Sequence, residues 1–536
     1  MKKLKFILTF LFCLSGVFLF AQQVSQNAGN NFAEKSLGST FLDGLRWGFI
    51  SVLQPCLYAM FPITVSFFLK RSHTKSQGVK NATLYSLSII GIFTVLGLFL
   101  TILFGSSTLY QISSSAVFNL FVFALFALFG ISFLGAFEIT LPSSWTNKVD
   151  TKANISSFSG IFFMALTLVL VSFSCTAPFI GNLLVDVSRQ KERIGPIIGF
   201  LGFSIAIALP FALFAFFPGL LNKIAKSGGW LNTLKVSFGF IELAMALKFL
   251  SNADLAYHWR LLDREVYLSI WIILFGLLGL YLLGKLKFSH DDNLPVNDYG
   301  LPYLSVTRVF FAISSLAFTV YMIPGLWGAP LNRISGWLPE NKTQEFNLEK
   351  LIRNENNSGN SNDIGSLQRK DSSSLFIKPK KYIDILQSEI PGVETFFDFD
   401  EALAAAKQLK RPIMIDFTGH SCANCRKMEA EVLSKPEVSS ILHNDFIVAS
   451  LYVDEKRELP DEEKYVSKFD SSNVNNVGAK NLDLEATIAN SNAQPLYIFT
   501  DQQGNIIKNS GGYEPGVERF INILNEVKNV NKAKYQ

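Results

Sequence analysis

The sequence predicts two joined architectures: an α-helical membrane domain of about eight spanning segments, arranged as an inverted repeat, and then a smaller α/β domain. Three observations predict them. Hydrophobic residues make up 49% of the 536, fifty of them phenylalanine, and the mean hydropathy is positive, which a water-soluble chain of this length rarely sustains. The apolar residues are gathered into long runs that end near Ile323. Beyond Tyr382 short apolar strands alternate with helical patterns instead. The net charge of +5 is small for the length and sits mostly in short loops, which argues for membrane topology and against a nucleic-acid surface.

Residues 1–21 carry Lys2, Lys3 and Lys5, an apolar run and Ala21 before Gln22, the pattern of a cleaved signal peptide. Residues 22–40 form a short polar segment, expected in the periplasm. The membrane domain is expected over 41–330, with apolar segments near Phe41–Leu69, Ala82–Phe104, Ala116–Phe137, Phe158–Val185, Gly195–Phe217, Leu234–Leu250, Tyr267–Gly284 and Val306–Ile323. Lys and Arg in the loops set orientation. Lys70, Arg71, Lys75, Lys80, Lys148, Lys152, Lys223, Lys226, Lys285 and Lys287 fall on one side, which is then cytoplasmic; Arg189, Lys191, Arg193, Arg260 and Arg264 oppose them. With the N-terminus outside, eight crossings return the C-terminal part to the outside.

Residues 331–380, centred on Asn354–Asp363 and rich in Asn and Ser, are too polar to bury a core and read as a flexible linker. The α/β domain is expected over 381–536. Within it, an apolar strand from Pro412 through Asp416 to Phe417 leads into Cys422-Ala-Asn-Cys425. A helix starting there places Cys422 near unpaired amides that favour thiolate, and the spacing of one helical turn lets the sulfurs open and close a disulfide. Half a zinc site has the same spacing, but no second pair follows, and of the five histidines His420 alone is near, so no metal site is expected. Downstream, Gln494-Pro495 precedes the strand Leu496–Phe499; a cis bond there would offer a backbone edge to a docking partner, and a trans Pro would merely open an edge strand.

Two further cysteines lie in the membrane segments, each with proline nearby: Pro55-Cys56 in the first and Cys175-Thr-Ala-Pro178 in the fourth. Proline breaks a spanning helix, tolerated where protein or a water-lined cavity satisfies the freed carbonyls. Three segments separate the two cysteines, so segments one to three and four to six enter the bilayer in opposite directions, and such a repeat gathers functional groups at mid-membrane. Cys56 and Cys175 then either pair or are simply small buried residues. Glu242, in the sixth segment, is an acid at membrane depth, facing the bundle interior either to relay protons or to hydrogen-bond a broken helix.

The Pro-Cys and Cys-Thr-Ala-Pro contexts resemble the transmembrane electron-transfer domain of the DsbD and CcdA families of thiol:disulfide interchange proteins. Asp416–Glu429 resembles the periplasmic thioredoxin-like domain of DsbD. The resemblance implies that Cys56 and Cys175 accept electrons from cytosolic thioredoxin and reduce the Cys422–Cys425 pair outside, with Cys422 the attacking thiol. It implies a pKa-tuning role for Asp416 and Glu429, whose negative charge opposes a nearby thiolate; an ordinary buried Asp and a solvated helical Glu are the plainer alternatives. DsbD also begins with a further periplasmic domain, and the roughly twenty residues between the expected signal and first helix leave no room for one here.

The expected function is a protein-disulfide reductase of the bacterial inner membrane, C-terminal domain periplasmic, using redox-active disulfides without another cofactor. Its partners would be cytosolic thioredoxin and periplasmic thioredoxin-like or disulfide-bearing clients, including those of cytochrome c maturation. Thioredoxin near about −270 mV and strongly oxidising dithiols near about −120 mV leave about 7 kcal/mol for two electrons. Two rivals are a copper-handling protein with cysteine ligands, against which the lack of Met-rich or His-rich tracts counts, and an outer thioredoxin merely anchored by the bundle.

Overall fold

The computed structural model describes residues 37–52, 80–81, 83–97, 111, 113–137, six positions between 161 and 169, 195–216, 228–288, 299, 303–348, 377–469, 472–489, 491 and 494–535. These fall into two compact units: Lys35–Asp254 with Leu261–Leu326, and Leu255–Arg260 with Trp327–Gln536.

The first unit is helical: α1 Leu37–Val52, α2 Thr83–Gly97, α3 Ala116–Phe133, α4 Gly195–Phe216, α5 Gly228–Tyr257, α6 Arg264–Leu282 and α7 Val306–Met322. Among the described residues, α3, α6 and α7 (continued to Trp327) are long and apolar enough to cross a membrane. Glycine lets helices approach where lipid-like surroundings supply little hydrophobic drive. At Gly44 in α1 a Cβ would fall 2.1 Å from the Gly199 carbonyl oxygen of α4, and at Gly202 one would fall 2.4 Å from that of Phe41. Backbone therefore rests on backbone.

The same closeness recurs between α3 and α5, where Cβ atoms at Gly130 and Gly239 would sit 3.2 and 3.0 Å from each other's carbonyl oxygens. Tyr85, Ile89 and Phe93 of α2 share a core with Ile161, Ala165, Leu168 and Val169 of the fourth segment and with Phe200 and Phe203 of α4. Thus segment one packs on five and three on six, while two, four and five share one core. An inverted repeat would carry the one-with-five contact into four with two, which that core includes, and three with six into itself. Beyond the repeat, α6 and α7 pack together through Gly279 against Leu316, a Ser315 hydroxyl donating to the Phe275 carbonyl at 2.7 Å, and Arg308, whose guanidinium donates to the last carbonyls of α6 at Leu282 (2.8 Å) and Tyr281 (2.9 Å).

In the second unit a five-stranded sheet is built from β1 Thr395–Phe396, β2 Ile413–Thr418, β3 Ile447–Tyr452, β6 Leu496–Thr500 and β7 Ile506–Gly511, in the order β1-β3-β2-β6-β7. β3 runs parallel to β1 and β2, while β6 is antiparallel to β2 and β7. Strands β2, β3 and β6 are buried along their whole length, which explains their unbroken apolar runs. Helices α8 Phe399–Leu409, α9 Ala423–Met428, α10 Pro436–Asp445, α11 Val477–Ala489 and α12 Val517–Tyr535 accompany it, with a two-stranded ribbon of β4 Tyr465–Val466 and β5 Asn473–Val474. Asp398 caps α8 by accepting from the Glu401 amide at 3.0 Å, the arrangement its sequence favours.

Two features depart from the sequence reading. The polar stretch after Asp454 contains helix α11, whose Val477, Ala479, Leu482 and Ala486 are buried; spaced small and apolar residues suffice for one buried face. The expected linker begins too early at 331. Ile323–Trp337 forms two 3-10 turns, Ile323–Trp327 and Asn332–Trp337, followed by a third at Asn341–Thr343, and Leu331, Leu338 and Glu340 are buried. Apolar side chains scattered among polar ones anchor this strap.

Candidate functional site

Strand β2 delivers the chain to the redox pair. Cys422 and Cys425 are joined in a disulfide, their Cα atoms 5.3 Å apart. Cys422 caps α9, its sulfur accepting from the Cys425 amide at 3.1 Å. It is half-buried, whereas Cys425 is 1% exposed. An incoming thiolate can therefore reach Cys422 and leave Cys425 as the departing sulfur.

The loop into Cys422 is held by one carboxylate. Asp454, two residues beyond β3, accepts from the His420 amide at 2.8 Å, the Ser421 amide at 3.0 Å and the Ser421 hydroxyl at 2.9 Å. A Cβ at Gly419 would sit 3.0 Å from that carboxylate. In-register pairing of Thr418 with Tyr452 at the strand ends brings the two loops together.

Behind the disulfide lies a charged network. Arg426 lies with Nη2 2.7 Å from Glu429 Oε1 and Nη1 2.7 Å from Glu340 Oε1. Glu340 also meets Lys342 Nζ at 2.6 Å and His420 Nδ1 at 3.0 Å. Burial would raise the Glu340 pKa, but Lys342, His420 and Arg426 together hold it well below the usual carboxylate range. Glu429 goes the other way: burial lifts it well above that range, since Arg426 is shared with a second carboxylate and Glu389 and Asp416 add negative charge. Asp416, enclosed in β2 with the Ser450 hydroxyl at 3.4 Å as its one hydrogen-bond partner among the described residues, is raised by burial to about 7 despite Arg426. Burial opposes charge on His420, yet Glu340 and Glu455 outweigh it and raise it to about 9.

Of the residues singled out in the sequence, Cys422, Cys425, Asp416 and Glu429 thus lie on one strand-to-helix unit. The Gln494–Pro495 peptide is cis, and the strand it opens, β6, lies inside the sheet beside β2, not at its edge. Glu242 belongs to α5, 1% exposed, and neither of its carboxylate oxygens has a hydrogen-bond partner among the described residues. Cys56 and Cys175 lie outside the described residues. Sequence reasoning missed Glu340, Arg426, Asp454 and Glu455. The acid pair immediately after β3 was a usable signal once β2 and β3 are taken as parallel neighbours; Glu340, on the far side of the presumed linker, left none.

Residues 38–253 match the family model of the cytochrome C biogenesis protein transmembrane domain, and residues 399–528 match that of the thioredoxin-like domain. The chain joins a DsbD-type transmembrane domain to a thioredoxin-like one. This bears out the family resemblance read from the cysteine contexts. Relatives named thiol:disulfide interchange protein DsbD include one from Vibrio vulnificus, 23% identical over 72% of this chain and 54% of its own length, and DsbD 1 of Pseudomonas aeruginosa, 26% identical over 76% and 60%. A third, from Pseudoalteromonas atlantica, is 31% identical over 22% of this chain and 20% of its own. The DsbD-like chain spans little more than half the length of the first of these. It is a membrane protein whose relatives are named thiol:disulfide interchange proteins.

Proposed function

We propose that this DsbD-like protein is a protein-disulfide reductase that carries electrons across the bacterial inner membrane to the periplasmic Cys422–Cys425 pair. The observation that supports it most is the accessible Cys422 joined to a buried Cys425, in a thioredoxin-like sheet on the same chain as a DsbD-type membrane domain. In this reading cytosolic thioredoxin reduces a Cys56–Cys175 disulfide. One of the resulting membrane thiolates attacks Cys422 Sγ, breaking the Cys422–Cys425 bond, and the Cys425 thiolate takes up a proton. The second membrane thiolate then resolves the mixed disulfide and frees Cys422. Two electrons and two protons have moved, and no other cofactor is called on.

The reduced pair passes its electrons to disulfide-bearing clients outside, cytochrome c maturation factors among the candidates, with Pro495 beside the site as the docking backbone. Asp416 and Glu429 restrain the thiolate between encounters. The test is the redox state of Cys422 and Cys425, read by alkylation shift in cells with and without cytosolic thioredoxin. The pair should be mostly oxidised without it; a pair that stays reduced overturns the route. A Cys425→Ala chain should trap Cys422 in a mixed disulfide with Cys56 or Cys175, seen on a non-reducing gel, and its absence favours a merely anchored thioredoxin.

A further inference from the structure

The thioredoxin-like unit includes Leu255–Arg260 as well as the chain from Trp327 onward. From the first of these pieces comes His258, whose Nε2 lies 2.9 Å from Glu455 Oε2. His420 Nε2 lies 3.1 Å from that same oxygen. The three donor atoms all fall within 4.8 Å of one another. Two imidazole nitrogens and a carboxylate oxygen converging on one point are the donor set of a zinc site with an open fourth position. We propose that His258, His420 and Glu455 form a binding site for a divalent cation of the zinc type, separate from the cysteines.

Three details of the surroundings favour a ligand site over a plain ion pair. The second nitrogen of His420, Nδ1, is 3.0 Å from the buried carboxylate of Glu340, so Nδ1 keeps its proton when a metal displaces the one on Nε2; a carboxylate behind a histidine is the usual support of such a ligand. The other oxygen of Glu455 accepts from the Arg457 amide at 2.8 Å, which fixes Oε2 in the shared position. The His258 side chain is 29% exposed while those of His420 and Glu455 are at 1% and 0%, so the fourth coordination position opens toward solvent on the His258 side. Bound there, the cation would pin the residue two positions before Cys422 and stiffen the loop that Asp454 already holds.

The experiment titrates zinc alone into the full chain in detergent, stripped with a chelator, with the Cys422–Cys425 disulfide closed and all remaining thiols alkylated. One zinc per chain should bind, with a zinc-edge absorption spectrum showing nitrogen and oxygen neighbours and no sulfur. His258→Ala, at the exposed ligand, and Glu455→Gln should each abolish that equivalent, with thermal unfolding of the apo chain confirming that both fold. Glu340→Gln should weaken it by about 10–100-fold. Absence of a zinc equivalent, an undiminished one in His258→Ala, or sulfur in the first shell overturns the site.

Discussion

The two units bury polar side chains by opposite means. In the helical unit most hydroxyls close back onto their own helices, Ser315 excepted: Ser88 donates to the Leu84 carbonyl at 2.8 Å, Ser237 to that of Thr233 at 2.7 Å and Ser269 to that of Glu265 at 2.7 Å. Each bond spans one turn and joins no distant parts. In the thioredoxin-like unit the partners come from far along the chain. Glu340 meets His420 and Arg426, and Asp454 meets His420 and Ser421. A local bond survives wherever its helix survives, whereas the network exists only when the whole unit is assembled, so the region with reactive sulfurs is the one whose charges depend on tertiary fit.

The sharpest way to break that contrast is Arg426→Leu. It leaves Glu340 and Glu429 facing each other without their shared cation, and loss of one partner from a buried ion pair costs about 3–5 kcal/mol. Hydrogen exchange across the full chain should show β2, β3 and α9 losing protection while α6 and α7 keep theirs; uniform loss would mean that the network is not confined to its unit.

A smaller effect should come from pH. The folded pKa of Asp416, about 7, lies above its unfolded value, so the native state holds a proton that the unfolded chain has released. Stability from this group is therefore complete below about pH 4 and is lost as pH rises through about 7, amounting to a few kcal/mol. Asp416→Asn should flatten this slope, gaining most at pH 8 and least at pH 4 in thermal unfolding of the full chain. A gain that does not change with pH would assign it to packing.

The smallest effect belongs to the helical unit. Ser237→Ala removes a single one-turn bond and should cost less than about 1 kcal/mol, with the level of protein in the membrane unchanged. A large loss would show that this hydroxyl serves a partner beyond its own helix.

The same contrast explains what was legible in the sequence. The helices of the membrane unit follow from apolar runs, because that signal is local, whereas which helix packs on which was not read from the sequence. The redox turn was legible in the run from Pro412 to Cys425 for the same reason. Glu340 was not: it stands 80 residues before His420, in a stretch whose polarity resembles that of the Asn- and Ser-rich sequence beyond it. His258 was hidden for a like reason, since nothing near Tyr257 or Trp259 points to a strand end almost two hundred positions later. Only three-dimensional closure reveals such partners.

Opening a disulfide consumes hydrogen ions as well as electrons, and a site enclosed by protein must find them close by. Burial pushes Glu429 well above the usual carboxylate range, because Arg426, set between Glu340 and Glu429, cannot offset it fully for both. One turn along the same helical run from the departing sulfur, the fold keeps a carboxyl group whose surroundings favour its neutral, hydrogen-bearing form.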